Sequence, residues 1–234
     1  MRPLGFAGME YVEVARAQTP RGEIVLRERR ASDGESSPVV HELRVNGVFV
    51  MDTLETGSEK ALAEAALAHV ERPRAVLVGG LGLGFTAHEV LADKRVERVV
   101  VVEIEDDLVR WMRDGTVRHG PAYLADDRLT VVTADLAAVM AEAKPGSYDL
   151  VLVDVDNGPG QLVREGNQDV YQPEFLRQVR DALRAGGAVA FWSAAESTPL
   201  QEALEQVFQN ATAIPYEVTL QGRPERYWLY LSRR

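Results

Sequence analysis

Gly79-Gly80-Leu81-Gly82-Leu83-Gly84 decides the fold, because of what stands on either side of it. Residues 75–78 form a short apolar run of the kind that fills a strand buried on both faces. Residues 85–92 read as a helix. Glycine suits such a strand-to-helix turn because the backbone must bend tightly and admit a ligand where a Cβ would collide. Alone the turn is a weak signal, since similar turns also serve packing. Its surroundings give it weight.

Downstream the βα alternation continues. Strands are expected over 98–103, 129–133 and 148–154, with helices over 106–113, 136–143 and about 174–184; Gly186-Gly187 introduces a fifth strand over 188–192. Val99-Val100-Val101-Val102 and Leu150-Val151-Leu152-Val153 are continuous apolar runs, as strands covered on both faces are. This order predicts a doubly wound, mostly parallel α/β sheet with helices on both faces. A helix over 200–208 then leads to two strands, 213–220 and 227–231, joined by Gln221-Gly222-Arg223-Pro224. So short a loop forces antiparallel pairing, so the last strand should run against the others.

Upstream the pattern is different. Strand-like stretches at 23–27 and 39–42 flank a polar turn over 32–38, and Asn46-Gly47 between apolar runs is a strong hairpin signal. A small antiparallel β-unit over 1–57 is therefore expected ahead of a nucleoside-binding domain over 58–234. The unit looks too thin to bury its own core, so it should lie against the main domain or a second subunit. Ser58 is expected to cap an Ala/Leu-rich helix ending near His69, with Glu59 in its first turn.

The totals narrow the function classes. A net charge of −10 disfavours unspecific binding to nucleic acid or anionic lipid, which needs clustered Lys and Arg. The absence of cysteine excludes disulfides, thiolate metal sites and cysteine nucleophiles. The four histidines, His41, His69, His88 and His119, are scattered, so no metal site is expected. No apolar run approaches the roughly 20 residues of a membrane span. Met1-Arg2-Pro3-Leu4-Gly5-Phe6 has no apolar signal core, so a cytoplasmic protein is expected.

Glu103 ends the second strand about twenty residues beyond the turn, where a carboxylate can accept both ribose hydroxyls. Asp135 ends the third strand and Asp154 the fourth, so three acids share the carboxyl edge of one sheet. They would repel a pyrophosphate. They suit a cofactor with ribose, an adenine amine and a sulfonium or ammonium group, which is to say S-adenosylmethionine (AdoMet) or its decarboxylated form. The cofactor side is assigned to Gly80, Gly82, Gly84, Glu103, Ile104, Asp135, Leu136 and Asp154. The loop Asp154-Val155-Asp156-Asn157-Gly158-Pro159-Gly160 is made of turn formers, which explains it as a loop. Asp154 and Asp156 there could also orient a small-molecule acceptor and take its proton, making them the catalytic candidates. Asn157, Tyr171 and Trp192 are the substrate-side candidates, Trp192 foremost because it ends the fifth strand.

The order of these features resembles the spermidine synthase (polyamine aminopropyltransferase) branch of the class I AdoMet-dependent methyltransferase fold. The likeness runs through Leu67-Ala68-His69-Val70, the glycine turn, Val102-Glu103-Ile104-Glu105, Ala134-Asp135, residues 148–154 and Tyr171-Gln172-Pro173-Glu174-Phe175-Leu176. It implies that Glu103 binds ribose, Asp135 the adenine amine, and that Asp154 is the catalytic acid of a D-x-x-D loop. It also implies a seven-stranded sheet with a reversed last strand, and a homodimer. The departures fall on the substrate side. Leu83 stands where the resembled turn carries an ammonium-holding aspartate, Asn157 where the loop's second acid falls, Ala63 for a tyrosine and Trp192 for a glutamine. The expected activity is therefore transfer of an alkyl group, most simply methyl, to a small molecule. Aminopropyl transfer from decarboxylated AdoMet, and a non-catalytic binding or dimeric interaction protein, are the alternatives.

Overall fold

The computed structural model describes residues 9–31, 39–155, 157–160, 162, 165–220 and 222–234. The chain divides into two compact units, Met1–Leu54 and Glu55–Arg234. In the first, β1 (Met9–Thr19), β2 (Gly22–Ala31), β3 (Val40–Val45) and β4 (Val48–Asp52) form an antiparallel sheet in the order β1-β2-β3-β4. Asn46 and Gly47 both take positive φ, 51° and 77°, the backbone of a two-residue hairpin whose twist matches the strands it joins. Ile24, Leu26 and Leu43 are buried, and Arg29 pairs with Asp52 at 2.8 Å beneath the surface. The polar turn expected over 32–38 lies outside the described residues.

Sequence pattern misses β1. Glu10, Tyr11, Val12 and Glu13 are all exposed on this edge strand, so it carries no apolar face for periodicity to find. The apolar stretches at 39–42 and 43–45 are one strand, β3, because β2 pairs with both without interruption.

The second unit is built on seven strands in the order β10-β11-β9-β8-β5-β6-β7. These are β5 (Ala75–Gly79), β6 (Arg98–Glu103), β7 (Leu129–Thr133), β8 (Tyr148–Val153), β9 (Leu183–Ser193), β10 (Thr212–Leu220) and β11 (Arg223–Arg233). The five from β5 to β9 are parallel; β10 and β11 pair antiparallel across the closing hairpin, and β11 runs antiparallel to β9. Residue 221 is outside the described set, and Arg223 and Pro224 already belong to β11.

Helices α1 (Gly57–Ala68), α2 (Phe85–Ala92), α3 (Asp106–Asp114), α5 (Leu136–Ala141), α6 (Pro173–Ala182) and α7 (Thr198–Phe208) connect them, with a one-turn α4 (Gly120–Tyr123) and a 3-10 turn (Glu165–Tyr171) that no sequence signal announces. Two starts differ from expectation. The N-cap of α1 is Thr56, and Ser58 sits inside the first turn with its hydroxyl donated to Glu59. Strand β9 begins at Leu183 and runs through Gly186-Gly187, with a register shift where Tyr148 pairs Leu183 and Leu150 pairs Ala188. No helix among the described residues is long and apolar enough to cross a membrane.

The strand order reverses between β5 and β8: the chain builds outward through β6 and β7, then returns to the other side of β5. In such a sheet the crevice for a ligand opens at the carboxyl ends of the strands flanking the switch.

Candidate active site

Strand register brings the candidate residues together. Gly79 pairs with Val102 on one side and Val153 on the other, and Val153 pairs with Phe191. One residue further along, Glu103, Gly80, Asp154 and Trp192 therefore succeed one another along the carboxyl edge, centred on the switch point. Asp135 comes after β7 at the end of the row and caps α5, its side chain accepting from the Ala138 N–H at 3.1 Å.

Gly80 is held at φ 94°, and its N–H donates to the Val102 carbonyl at 2.8 Å. A Cβ on it would lie 2.0 Å from the Asp154 carbonyl oxygen, so only glycine lets the turn and the β8 loop close on each other. The Asp154 N–H completes this contact by donating to the Gly79 carbonyl at 2.8 Å. Leu136, assigned to the cofactor side, is 6% exposed and packs its methyl groups against Gly79.

Glu103 does more than end a strand. It is 8% exposed; its Oε2 accepts from the Leu81 N–H at 2.9 Å and its Oε1 from the Glu105 N–H at 2.8 Å. The carboxylate thus fastens the glycine turn to the end of β6. A carboxylate has about four acceptor sites, so this anchoring is compatible with receiving ribose hydroxyls as well.

Asp154 accepts a 2.7 Å hydrogen bond from the Thr86 hydroxyl in the first turn of α2. Desolvation pushes its carboxyl up to about 6, against the opposing pull of that hydrogen bond. Such a group is ionised at neutral pH yet close to its titration point, which is what a proton acceptor needs.

Glu59 reads in the sequence only as a first-turn acid. It is 8% exposed, accepts from the Ser58 hydroxyl at 2.9 Å, and is raised to about 8, first by burial and next by the charge of Asp154. Helix α1 starts at the carboxyl edge, where a Cβ on Gly57 would lie 3.1 Å from the Tyr216 hydroxyl. Its other end meets Arg95, which donates to the Leu67 and Val70 carbonyls ahead of β6. Glu59 and Thr86 therefore approach Asp154 from the first turns of two neighbouring helices.

The substrate-side candidates separate. Trp192 is 8% exposed, its ring edge-on to Tyr227 with centroids 4.8 Å apart, and its indole N–H has no hydrogen-bond partner among the described residues. Tyr227 in turn pairs across the hairpin with Tyr216, beside Gly57. Tyr171 is 5% exposed in the core cluster, 6.2 Å from the Phe191 ring. The Asn157 carbonyl accepts from the Ala194 N–H at 3.1 Å, tying the β8 loop to the end of β9. Ile104 is half-buried just past Glu103. Asp156 lies outside the described residues.

Leu83 is fully buried, so the fifth residue of the turn is core rather than a carboxylate facing a ligand. An aromatic group braces this end of the turn. A His119 ring nitrogen contacts the Leu83 carbonyl at 2.7 Å, and Tyr123 stacks on His88 at 3.9 Å. Among the described residues no group of acids and histidines could hold a metal ion.

Known proteins share this outline. The Spermine/spermidine synthase domain profile matches residues 55–220. Putrescine N-methyltransferase 3 of Nicotiana tabacum is 32% identical over 149 residues, covering 63% of this chain but only 37% of that protein. Polyamine aminopropyltransferase 2 of Pseudomonas aeruginosa is 35% identical over 136 residues, 56% of this chain and 36% of that protein. The chain thus spans less than two-fifths of the length of either relative. A crystal structure of a spermidine synthase in complex with the transition-state analogue AdoDATO superposes with a TM-score of 0.77 at 17% identity, covering 94% of this chain and 73% of that one. The spermidine synthase from Thermotoga maritima gives 0.75 at 16% identity, covering 94% and 72%.

Proposed function

The chain belongs to the spermine/spermidine synthase family, and on that premise we propose that it binds an AdoMet-type nucleoside at the carboxyl edge and transfers an alkyl group, most simply methyl, to a small-molecule acceptor. The observation that carries this reading is the row of Gly80, Glu103 and Asp154 at the switch point, two carboxyls flanking the turn where a pyrophosphate would be repelled. The tight turn at Gly80 lets the glycine turn and the β8 loop close on each other, which brings Glu103 and Asp154 to the two sides of the switch point.

A bound sulfonium nucleoside supplies the electrophilic carbon and a thioether leaving group. The protein's part is then chiefly to hold the acceptor in line at near-attack distance. Glu103 receives the ribose, and Asp135 stands where the adenine amine would be met. Asp154 orients the acceptor nucleophile and takes its proton. Because its carboxyl titrates near 6, activity should fall as the pH drops through that value and Asp154 becomes protonated. Trp192, with Tyr227 and Tyr216, is the wall that shapes the acceptor space.

Methyl transfer is favoured over aminopropyl transfer by Leu83, since the turn carries no acid for the ammonium of an aminopropyl group. The reverse reading draws support from Glu59, a buried carboxyl that suits a nucleoside without a carboxylate. Incubation with mixed small amines and either AdoMet or decarboxylated AdoMet tests the choice. Conversion of AdoMet to S-adenosylhomocysteine supports methyl transfer. Release of methylthioadenosine from the decarboxylated form refutes it, and no conversion of either nucleoside would leave a binding protein.

Glu103→Ala should weaken binding of methylthioadenosine by more than about tenfold, because two hydroxyls lose their acceptor and the turn loses its anchor. Calorimetric titration reads this directly. Unchanged affinity would remove Glu103 from the ribose site.

A further inference from the structure

We propose that Glu59 is a second working carboxyl of this site, binding the ammonium form of an amine acceptor together with Asp154 and giving up a proton to solvent as it does so. This role rests on the alkyl-transfer reading and adds the charge state in which the acceptor arrives.

Placement comes first. Glu59 stands in the first turn of α1, at the carboxyl edge, while Thr86 stands in the first turn of the adjacent α2 and holds Asp154 at 2.7 Å. Helix α1 packs against β8, which leads into Asp154, and against β9, which carries Trp192 near its end. A glutamate at a helix start would ordinarily reach solvent. Here it is 8% exposed, and its carboxyl accepts from the neighbouring Ser58 hydroxyl.

Burying a carboxylate without a cation is costly, and two carboxyls that feel each other raise the cost. The groups acting on Glu59 among the described residues are Asp154 just past β8, its own backbone N–H, the Ser58 hydroxyl, and Glu55 from the segment before α1. On β10 the Tyr216 phenol lies beside Gly57, and α2 contributes the Thr86 hydroxyl. None of these is a cation. The pair therefore rests with one proton on Glu59 at neutral pH and Asp154 ionised, which agrees with values of about 8 and about 6.

An ammonium group between them supplies the missing charge. The amine enters protonated, Glu59 ionises, and its proton goes to bulk water; no covalent bond between heavy atoms changes. The acceptor's own proton is left for Asp154 to take at the transfer step. Aromatic rings at Trp192, Tyr227 and Tyr216 are compatible with a cation lodged nearby.

Proton release on binding tests this. The intact chain, saturated with methylthioadenosine, is titrated with putrescine at pH 7 in buffers of different ionisation enthalpy. The expected result is about one proton released per putrescine bound by the wild type. In Glu59→Gln, release should vanish and putrescine affinity should fall about tenfold or more, while methylthioadenosine still binds and so reports a folded site. Putrescine binding without proton release in the wild type, or unchanged release in Glu59→Gln, overturns the role of Glu59 and leaves the alkyl-transfer reading standing. A saturated complex that binds no putrescine overturns the ammonium-binding role of Glu59 as well and leaves alkyl transfer to another acceptor standing. Failure of methylthioadenosine to bind the wild type overturns both.

Discussion

Asp154→Asn is expected to reduce turnover by about a thousandfold, within the range that a positioned proton acceptor contributes. The amide keeps the shape of the side chain and can still meet the Thr86 hydroxyl, but it cannot take a proton. Fold and nucleoside affinity should survive. The stability effect has a definite sign. Asp154 has a folded pKa raised to about 6 from 3.8, so it favours the folded state when protonated, and that contribution is lost as pH rises toward and through 6. Replacing it with a neutral side chain should therefore leave thermal stability at pH 8 equal to or above that of the wild type. A variant less stable at pH 8 would contradict the desolvation account, and full turnover would reduce Asp154 to a loop residue.

Gly80→Ala is expected to be the most damaging single-methyl change in the second unit. The added Cβ would stand 2.0 Å from the Asp154 carbonyl oxygen and 2.8 Å from its carbon, both backbone atoms that cannot swing aside. It would also force a side-chain-bearing residue to φ 94°. Strain and overpacking together should cost about 3 kcal/mol or more, and moving the β8 loop should abolish nucleoside binding. Gly186→Ala is the control. Gly186 also has positive φ, 77°, but nothing lies within 4 Å of its Cβ position, so only backbone strain of about 1 kcal/mol should appear. Thermal melts of the two variants separate the terms. Equal losses would mean that the closeness of turn and loop is unimportant.

These two sites are legible in the sequence for one reason: they lie at strand ends. Buried strands announce themselves as continuous apolar runs, and the residues that follow each run stand at the carboxyl edge. Gly80, Glu103 and Asp154 are found that way, and register places them in one row. A reversed strand follows equally from a loop too short to cross over, since one of β10 and β11 must then oppose the parallel strands, and it is β11 that does.

Glu59 is out of reach of such reasoning. Its chemistry comes from burial, and its burial comes from α1 packing beside α2 over β8, a contact that joins residues nearly a hundred positions apart. In the sequence it is one acid in a helical first turn, where acids are common for a different reason. Ser58 shows the same limit at short range. Serine before a helical run reads as a cap, but the cap is Thr56, two residues earlier, and the Ser58 hydroxyl serves Glu59. Strand β1 escapes notice because the first residues of its run are exposed on both faces, and α4 because one turn has no periodicity to detect.

Titration of the intact wild-type chain with nucleosides tests the central claim most directly. Calorimetry with AdoMet, decarboxylated AdoMet, methylthioadenosine and NAD at neutral pH compares ligands that share adenosine and differ in the group carried on its ribose. The acids along the carboxyl edge predict saturable binding of one sulfur nucleoside per chain and no comparable binding of the pyrophosphate-bearing NAD. Preferential binding of NAD, or no binding of any sulfur nucleoside, would contradict it.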